Sequence, residues 1–282
     1  MLLGTLVGAL GGLMGAIMRD GGDRTFRRYD DLENTTGLPV IALVPNLRTG
    51  SVNQVLRKPL SPYCEALRRV HIGIQMLDVE KSPKTVLFCS ATPGEGKTTM
   101  IASLGRVLAS QGKRVIVIDC DWRNPSLQRV FNMRNRGGLS ALLTERDVVL
   151  DDCIQRDALT GLDVITAGQW ESKDVTALFS DRMARMLEAF AKTYDVVLID
   201  AAPILVGAEV LMLARMVDQV LFNVHWGRTH RDAVFEALRQ LLDARGNIGG
   251  LILSRVDPRR YRQYASSPLN YAYTRPAARQ FS

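Results

Sequence analysis

Residues 85–99 read TVLFCSATPGEGKTT, and this stretch decides the fold. Its first six residues form a mostly apolar run, which is typical of a strand buried on both faces of a sheet. A glycine-containing loop follows that ends in Gly-Lys-Thr-Thr, and a helix-forming stretch extends from Lys97 to Gln111. A strand, this loop and a helix in that order predict a phosphate-binding loop, or P-loop.

The residue types of the loop suit the binding of a nucleoside triphosphate. Gly94 and Gly96 allow backbone N–H groups to turn toward phosphate oxygens, and the N-terminus of the following helix adds further N–H groups. Lys97 supplies a positive charge for the β- and γ-phosphates, and the Thr98 hydroxyl is a ligand for Mg²⁺. We therefore expect ATP and Mg²⁺ to bind here. The expected loop contacts to the nucleotide are Pro93, Gly94, Glu95, Gly96, Lys97 and Thr98.

Acidic residues end two other apolar runs. Val196–Ile199 is followed by Asp200, and Val115–Ile118 is followed by Asp119 and Asp121 on either side of a cysteine. A strand-terminal Asp can be the cap of the next helix. However, the carboxyl ends of parallel strands meet at one edge of a sheet, where ligands bind. Together with the P-loop, these carboxylates predict a Mg²⁺ site.

Strand-like and helix-like segments alternate along most of the chain. The strand-like runs are nearly continuous in Val, Ile and Leu, which indicates strands covered on both faces. We therefore predict an α/β fold of the P-loop NTPase type, with a mostly parallel sheet, helices on both faces and one preceding transmembrane helix. The predicted strands are Thr85–Ser90, Val115–Asp119, Asp163–Thr166, Val196–Asp200, Val220–Val224 and Leu251–Ser254, and the predicted helices are Tyr63–Leu77, Lys97–Gln111, Phe179–Lys192 and Arg231–Ala244.

The transmembrane prediction rests on residues 1–18. They carry no charge and would span about 27 Å as a helix, which is enough for the hydrocarbon core of a bilayer. Gly4, Gly8 and Gly12 would share one face suited to close helix packing. The alternatives are a signal peptide or a buried helix, but a signal peptide opens with positive charge, which here follows the apolar run. The following arginines predict that the rest of the chain is cytoplasmic; they are Arg19, Arg24, Arg27 and Arg28.

Composition and net charge narrow the classes of function that the chain can have. The chain has 282 residues, 46% hydrophobic content and a formal net charge of +7. Much of the excess positive charge lies beside the apolar N-terminus and beyond residue 258, which favours anionic membrane lipids over nucleic acid. The four cysteines lack a metal-binding spacing and fit a reducing cytoplasm. We divide the chain into a transmembrane helix (1–18), a juxtamembrane linker (19–60), a P-loop ATP-binding domain (61–258) and a flexible tail (259–282).

Several motifs together resemble the bacterial tyrosine kinases (BY-kinases), the cytoplasmic part of polysaccharide co-polymerases. They are the P-loop, the acidic stretch Asp119-Cys120-Asp121-Trp122-Arg123-Asn124-Pro125, and Asp200 with Pro203. The segment with Gly37-Leu38-Pro39 and Val44-Pro45 is similar to that family's juxtamembrane linker. The resemblance covers nearly the whole chain. It implies an ATP-dependent protein-tyrosine autokinase with ATPase activity, located at the bacterial inner membrane, that regulates exopolysaccharide or capsule biosynthesis and export.

The resemblance also implies roles for individual side chains. Asp200 would hold Mg²⁺ through water, and Asp119 would help to bind the metal and accept the proton of the incoming tyrosine hydroxyl. Asp121 and Arg123 would support that geometry. The residues that would bind phosphate and Mg²⁺ at the start of the helix are Lys97, Thr98 and Thr99.

The same resemblance implies partners. A neighbouring subunit in a homo-oligomeric ring would phosphorylate the tail, and an early helix with Glu65, Arg68 and His71 would contribute to ring assembly. Other partners would be a periplasmic or membrane co-polymerase component, a polymerase, a tyrosine phosphatase and anionic lipids, but not nucleic acid. The implied phosphate acceptors are Tyr261, Tyr264, Tyr271 and Tyr273.

Some positions depart from the family pattern, and they keep other functions open. Ala201 and Ala202 replace the usual Thr-Pro, His71 replaces an arginine, and Ser254 stands where related ATPases often have an Asn near the adenine. One alternative is a catalytically weak ATP-binding regulator of assembly. A ParA/MinD-like ATPase is the other, although those proteins carry a lysine at the position of Thr92.

Overall fold

The computed structural model describes residues 24–47, 52–78, 82–135 and 137–264. In these ranges the chain forms eight β-strands: β1 Val40–Pro45, β2 Thr85–Ser90, β3 Val115–Asp119, β4 Gln155–Arg156, β5 Asp163–Ile165, β6 Val196–Asp200, β7 Gln219–His225 and β8 Ile248–Val256. They make one sheet in the order β1-β8-β7-β2-β6-β3-β5-β4. All neighbouring strands are parallel except β4 and β5, which are antiparallel.

The helices of the same ranges cover both faces of the sheet. They are α1 Tyr29–Thr36, α2 Gln54–Arg57, α3 Pro62–Met76, α4 Lys97–Ser110, α5 Leu127–Phe131, α6 Gly138–Thr144, α7 Leu150–Cys153, α8 Asp181–Thr193, α9 Glu209–Leu213, α10 Arg231–Asp243 and α11 Pro258–Tyr261, with a 3₁₀ helix at Ser172–Phe179. Among these described helices, none has both the length and the apolar character needed to cross a membrane. The predicted transmembrane segment, residues 1–18, lies outside the described residues.

The predicted α/β fold with a mostly parallel sheet is confirmed. Every residue of β2, β3 and β6 is buried, as expected for strands covered on both faces. One apolar layer includes Leu187 of α8 and Val234 of α10. The opposite layer includes Leu67 of α3 and Leu104 of α4. Two packed layers on one sheet hold the loops at its carboxyl edge in fixed positions.

The described part of segment 19–60 contributes to the same sheet. Within this segment, predicted as a linker, strand β1 pairs in parallel with β8 at the edge of the sheet. The helix predicted from Tyr63 begins at Pro62, because the Ser61 side chain caps it by accepting a hydrogen bond from the backbone N–H of Cys64. The described part of this segment therefore packs against the same sheet as the rest of the chain.

A buried ion pair joins α4 to the loop before β5. Nε and Nη2 of Arg106 donate to the two carboxylate oxygens of Asp157 at 3.0 and 2.8 Å. The two side chains are only 3% and 4% exposed. The guanidinium also lies 4.9 Å from the ring centroid of Phe131. Removing one partner would leave the other charge buried without compensation.

We predict that Asp157→Ala lowers the free energy of unfolding by about 3–5 kcal/mol. Urea denaturation followed by far-UV circular dichroism measures this change. Asp243→Ala is the matched control, because its pair with Arg239 is 67% and 62% exposed, and exposed pairs contribute little. Equal stability of the two variants would contradict a structural role for the buried pair.

Candidate active site

The loop between β2 and α4 has the backbone conformation that a P-loop needs. Gly94 and Gly96 have φ angles of 81° and 84°, which side-chain-bearing residues rarely adopt. Gly96 is also the N-cap of α4, so the free N–H groups of that helix point toward the loop. The loop borders a cleft of about 220 Å³ that extends to Asp121, Ser126 and Pro203.

Glu95, a predicted nucleotide contact, borders the cleft, and its buried side chain also holds the loop in shape. Glu95 is 1% exposed. One carboxylate oxygen accepts from the N–H and hydroxyl of Thr92 at 2.9 and 2.8 Å, and the other accepts from the N–H of His225 at 3.2 Å. Burial raises the pKa of this carboxyl above its usual value. Its role here is to tie the loop to the end of β7.

Lys97 is buried at the start of α4. Its Nζ donates a hydrogen bond to the Ser90 hydroxyl at 2.9 Å. Ser90 is the last residue of β2, so this bond aligns the ammonium with the strand that precedes the loop. The lysine therefore lies in the loop interior, as a phosphate-binding lysine requires.

The magnesium-binding residues predicted from the sequence meet at the start of α4. The hydroxyl of Thr98 donates to Oδ2 of Asp200. The Ser126 hydroxyl lies 3.1 Å from the Thr98 hydroxyl and extends the network. The second oxygen of Asp200, Oδ1, is buried and has no hydrogen-bond partner among the described residues. A buried carboxylate oxygen with no donor is suited to accept a cation or a water bound to one.

Asp119 lies opposite Asp200 in the parallel register of β3 and β6. Oδ2 of Asp119 accepts from the N–H groups of Ser126 and Leu127, both at 3.0 Å, and Oδ1 accepts from the N–H of Asp121 at 3.1 Å. These bonds wrap the chain after β3 around the carboxylate. Asp119 is fully buried, so it shapes the acidic turn from behind the cleft.

Burial makes these two carboxyl groups reluctant to ionise. Burial, followed by the charge of Asp200, raises the pKa of Asp119 to about 7. Burial raises the pKa of Asp200 to about 6. Each carboxyl is therefore harder to ionise than an exposed Asp, and a bound cation would favour its ionised form.

These donors fit Mg²⁺. The available atoms are carboxylate and hydroxyl oxygens, which this ion prefers, and Asp200 Oδ1 is free. In the part of the chain that the structure describes, no three His, Cys, Asp or Glu side chains form a metal-binding cluster.

Asp121 and Arg123 occupy the cleft side of the acidic turn. Both line the cleft beside the P-loop. Oδ1 of Asp121 accepts from the N–H of Asn124 at 3.0 Å. Arg123 pairs with Glu209 at 3.0 Å and stacks 4.4 Å from the ring centroid of Trp122. The arginine is thus held at the cleft wall by a glutamate that the sequence analysis did not identify.

Comparison with known proteins gives the family. Residues 84–233 match the model described as an AAA domain. Tyrosine-protein kinase YwqD of Bacillus subtilis is 30% identical over 199 residues, which cover 71% of this chain and 84% of YwqD. The chain belongs to the bacterial tyrosine kinases.

Other bacterial tyrosine kinases extend well beyond this chain. EpsB of Ralstonia solanacearum, also named as a tyrosine-protein kinase, is 31% identical over 285 residues, which are 95% of this chain but 38% of EpsB. The kinase domain of Escherichia coli tyrosine kinase ETK superposes with a TM-score of 0.73 and 28% identity, covering 79% of this chain and 92% of that domain. The septum-site protein MinD of Pyrococcus horikoshii, at 20% identity and a TM-score of 0.52, shares the fold alone. The chain spans about two fifths of the length of EpsB.

The residues that the family resemblance assigns to ring assembly lie on α3 and differ in how exposed they are. Glu65 is exposed on α3 and pairs with Arg68 at 3.3 Å and Arg69 at 3.7 Å. His71 is only 8% exposed, and both ring nitrogens lack partners among the described residues. Burial lowers the pKa of His71 to about 4. Of the three residues assigned to ring assembly, His71 is the one that this helix turns toward the core, and their role in assembly stays a prediction.

Two of the four predicted acceptor tyrosines lie in the described residues. Tyr261 ends α11 and is 1% exposed, with its ring centroid 6.4 Å from that of Trp226. Tyr264 packs against the same tryptophan at 6.2 Å, and its hydroxyl accepts from Arg27 at 2.8 Å. The structure therefore corrects the expectation that Tyr261 belongs to a flexible tail. Tyr271 and Tyr273 lie outside the described residues.

The raised pKa of Asp200 predicts a pH-dependent stability in the absence of metal. Its usual pKa is 3.8 and its folded value is about 6, so the folded protein loses stability as the pH rises from 4 through 6. In EDTA at pH 8, Asp200→Asn should be more stable than wild type by about 1–3 kcal/mol, and the difference should vanish near pH 4. Urea unfolding across this pH range measures it.

Asp195→Asn is the control with the opposite sign. Arg114 pairs with Asp195 at 2.9 Å and lowers the pKa of that carboxyl. This pair stabilises the fold above the usual pKa of Asp, so Asp195→Asn should be less stable than wild type at pH 8. An Asp200→Asn protein that is less stable than wild type at pH 8 without metal would show that the carboxylate is well compensated.

Proposed function

We propose that this chain is an ATP-dependent protein-tyrosine autokinase that transfers the γ-phosphate of MgATP to tyrosines in the tail of a neighbouring copy. The observation that carries the proposal is the arrangement of Thr98, Asp200 and Asp119 at the mouth of a P-loop. Membership in the tyrosine kinase family supports it, because YwqD is named a tyrosine-protein kinase.

The proposed reaction uses positioning and charge. The tyrosine oxygen forms a bond to the γ-phosphorus while the bond to the β–γ bridging oxygen breaks, and ADP leaves with that electron pair. Lys97 and the loop N–H groups would neutralise charge on the phosphates, and Thr98 and Asp200 would hold a Mg²⁺ ion that supplies further positive charge there. Water is excluded only partly, because the cleft is open.

Between the two acids of the turn, Asp121 is the better placed acceptor for the tyrosine proton. Asp121 lines the cleft, whereas Asp119 is buried behind it with both oxygens engaged by backbone N–H groups. A proton acceptor must come within hydrogen-bond reach of the hydroxyl. We therefore assign Asp121 to proton transfer and Asp119 to holding the turn and the metal site.

The cellular setting is proposed from the relatives. We infer an anchor at the bacterial inner membrane through residues 1–18, with the kinase domain in the cytoplasm and the arginines after the anchor near anionic lipids. The substrate system would be exopolysaccharide or capsule export, with a co-polymerase component, a polymerase and a tyrosine phosphatase as partners. We also expect copies of the chain to assemble through the Glu65 and Arg68 face of α3.

A weakly active, ATP-controlled assembly regulator is the second candidate. Two observations favour it: Ala201 and Ala202 are fully buried and offer no side-chain donor to the acid before them, and His71 is withdrawn from the assembly helix surface. Assembly that depends on ATP binding while phosphotyrosine is absent would support this alternative. A ParA/MinD-like partition function has only the shared fold in its favour.

We predict that Asp121→Asn lowers autophosphorylation by about 10²-fold while MgADP affinity stays within twofold of wild type, because general base catalysis contributes on this scale. Asp119→Asn should weaken MgADP binding as well as activity. Lys97→Met should abolish autophosphorylation through loss of phosphate binding. Initial rates with radiolabelled ATP and calorimetric MgADP titrations measure both quantities, with the exposed Asp152→Asn as control. Equal loss of MgADP affinity in both aspartate variants would contradict the division of roles.

We predict transfer between copies. When an active chain with Tyr271→Phe and Tyr273→Phe is mixed with a Lys97→Met chain, the label should appear on the Lys97→Met chain. Adding Tyr261→Phe to that acceptor should leave labelling unchanged, because Tyr261 is buried. Phosphopeptide mapping after separation of the two chains is the measurement. An unlabelled Lys97→Met chain would argue for transfer within one copy.

A further inference from the structure

Arg255 at the end of β8 has a backbone conformation that most residues avoid. Its φ angle is 53°, in the left-handed region. In that region a side chain crowds its own backbone, so arginine is strained there and glycine is not. The strain is held in place on both sides, since Ser254 donates to the carbonyl of Glu95 at 2.7 Å and Val256 is buried in the core. Strained conformations that are held by neighbouring residues are concentrated at functional sites.

The strained conformation brings the Arg255 side chain against the P-loop. A Cβ built on Gly96 would lie 2.9 Å from Nε and 3.3 Å from Cγ of Arg255. The arginine therefore packs on the open side of that glycine, at the N-terminus of α4. Only glycine leaves room for the guanidinium at this point.

Arg255 also lies between two clefts. It lines the 220 Å³ cleft beside Lys97 and Thr98, and it lines a second cleft of about 260 Å³ bordered by Pro45, Tyr63 and Ser254. The side chain is exposed. Across the described ranges its guanidinium has no hydrogen bond or ion pair, unlike that of Arg123, which Glu209 holds. An unpaired guanidinium beside the N–H groups of a phosphate-binding loop is able to donate hydrogen bonds to a bound anion.

We propose that Arg255 is a nucleotide-binding residue whose guanidinium contacts the phosphate chain of ATP or ADP where the P-loop cleft meets the second cleft. The inference rests on the proposed nucleotide site and adds a cationic contact from β8 to those of the loop. Arg255 approaches the phosphates from the side of Gly96, whereas Lys97 approaches from within the loop. Two cations on different elements would make phosphate affinity depend on the position of β8 relative to α4.

The test measures MgADP binding to the full chain by isothermal titration calorimetry. Arg255→Ala should weaken MgADP at least about tenfold, the loss expected when a charged hydrogen bond is removed. Arg255→Lys should lose less, because it keeps the charge. Arg245→Ala is the matched control, since Arg245 is an exposed arginine at φ 59° in the turn after α10, and its affinity should equal that of wild type.

A second variant separates binding from folding. Arg255→Gly relieves the left-handed strain, so it should unfold at the same temperature as wild type or higher while binding MgADP as weakly as Arg255→Ala. MgADP affinity within twofold of wild type in both variants would overturn the proposal, as would a large fall in the unfolding temperature of Arg255→Gly. Failure of the nucleotide site itself would look different: wild type would not bind MgADP, or Lys97→Met would bind it equally well.

Discussion

The parallel register of β3 and β6 places two buried carboxylates opposite each other, and the rest of the site is arranged around them. Asp119 and Asp200 end adjacent strands at the same level of the sheet. Burial raises the pKa of both, so the pair is costly until a cation arrives. Thr98, at the start of the P-loop helix, is bonded to one of these acids. Binding of a magnesium nucleotide would therefore offset the unfavourable free energy of burying these two carboxylates together.

The loop that would hold the phosphates is supported by hydrogen bonds to the ends of other strands. Glu95 is turned inward onto Thr92 and the end of β7, and Ser254 of β8 donates to the Glu95 carbonyl. These contacts make the P-loop shape depend on two strands besides the one that precedes it. Arg255 follows Ser254 at the end of β8. A shift of β8 would therefore change both the shape of the loop and the positions of the cations around it. The edge strand β1, which pairs with β8, connects this region to the N-terminal segment.

Much of this arrangement could be predicted from the sequence, because strands buried on both faces leave continuous apolar runs. The bounds of β2, β3 and β6 follow such runs directly, and the acids at their ends follow with them. Directions of single side chains could not be predicted in the same way. The inward turn of Glu95 depends on the left-handed glycines beside it, and the burial of His71 depends on which face of α3 meets the sheet.

Contacts between residues far apart in the sequence could not be predicted either. Tyr261 lies in a polar, arginine-rich stretch that reads as a tail, yet its ring is buried near Trp226. The strain at Arg255 has no sequence signature, since an arginine at a strand end is ordinary until its φ angle is known. Ser126 and Glu209, which support Thr98 and Arg123, likewise come from loops and a short helix whose position only the folded sheet defines.

In the proposed reaction the site moves phosphate from MgATP to tyrosines of the tail. The most direct measurement is phosphopeptide mass spectrometry of the purified chain after incubation with MgATP, with stoichiometry resolved for each tyrosine. We expect phosphate on Tyr271 or Tyr273, none on the buried Tyr261, and none anywhere without Mg²⁺. Hydrolysis of ATP with no phosphotyrosine in the chain, or phosphate concentrated on Tyr261, would contradict it.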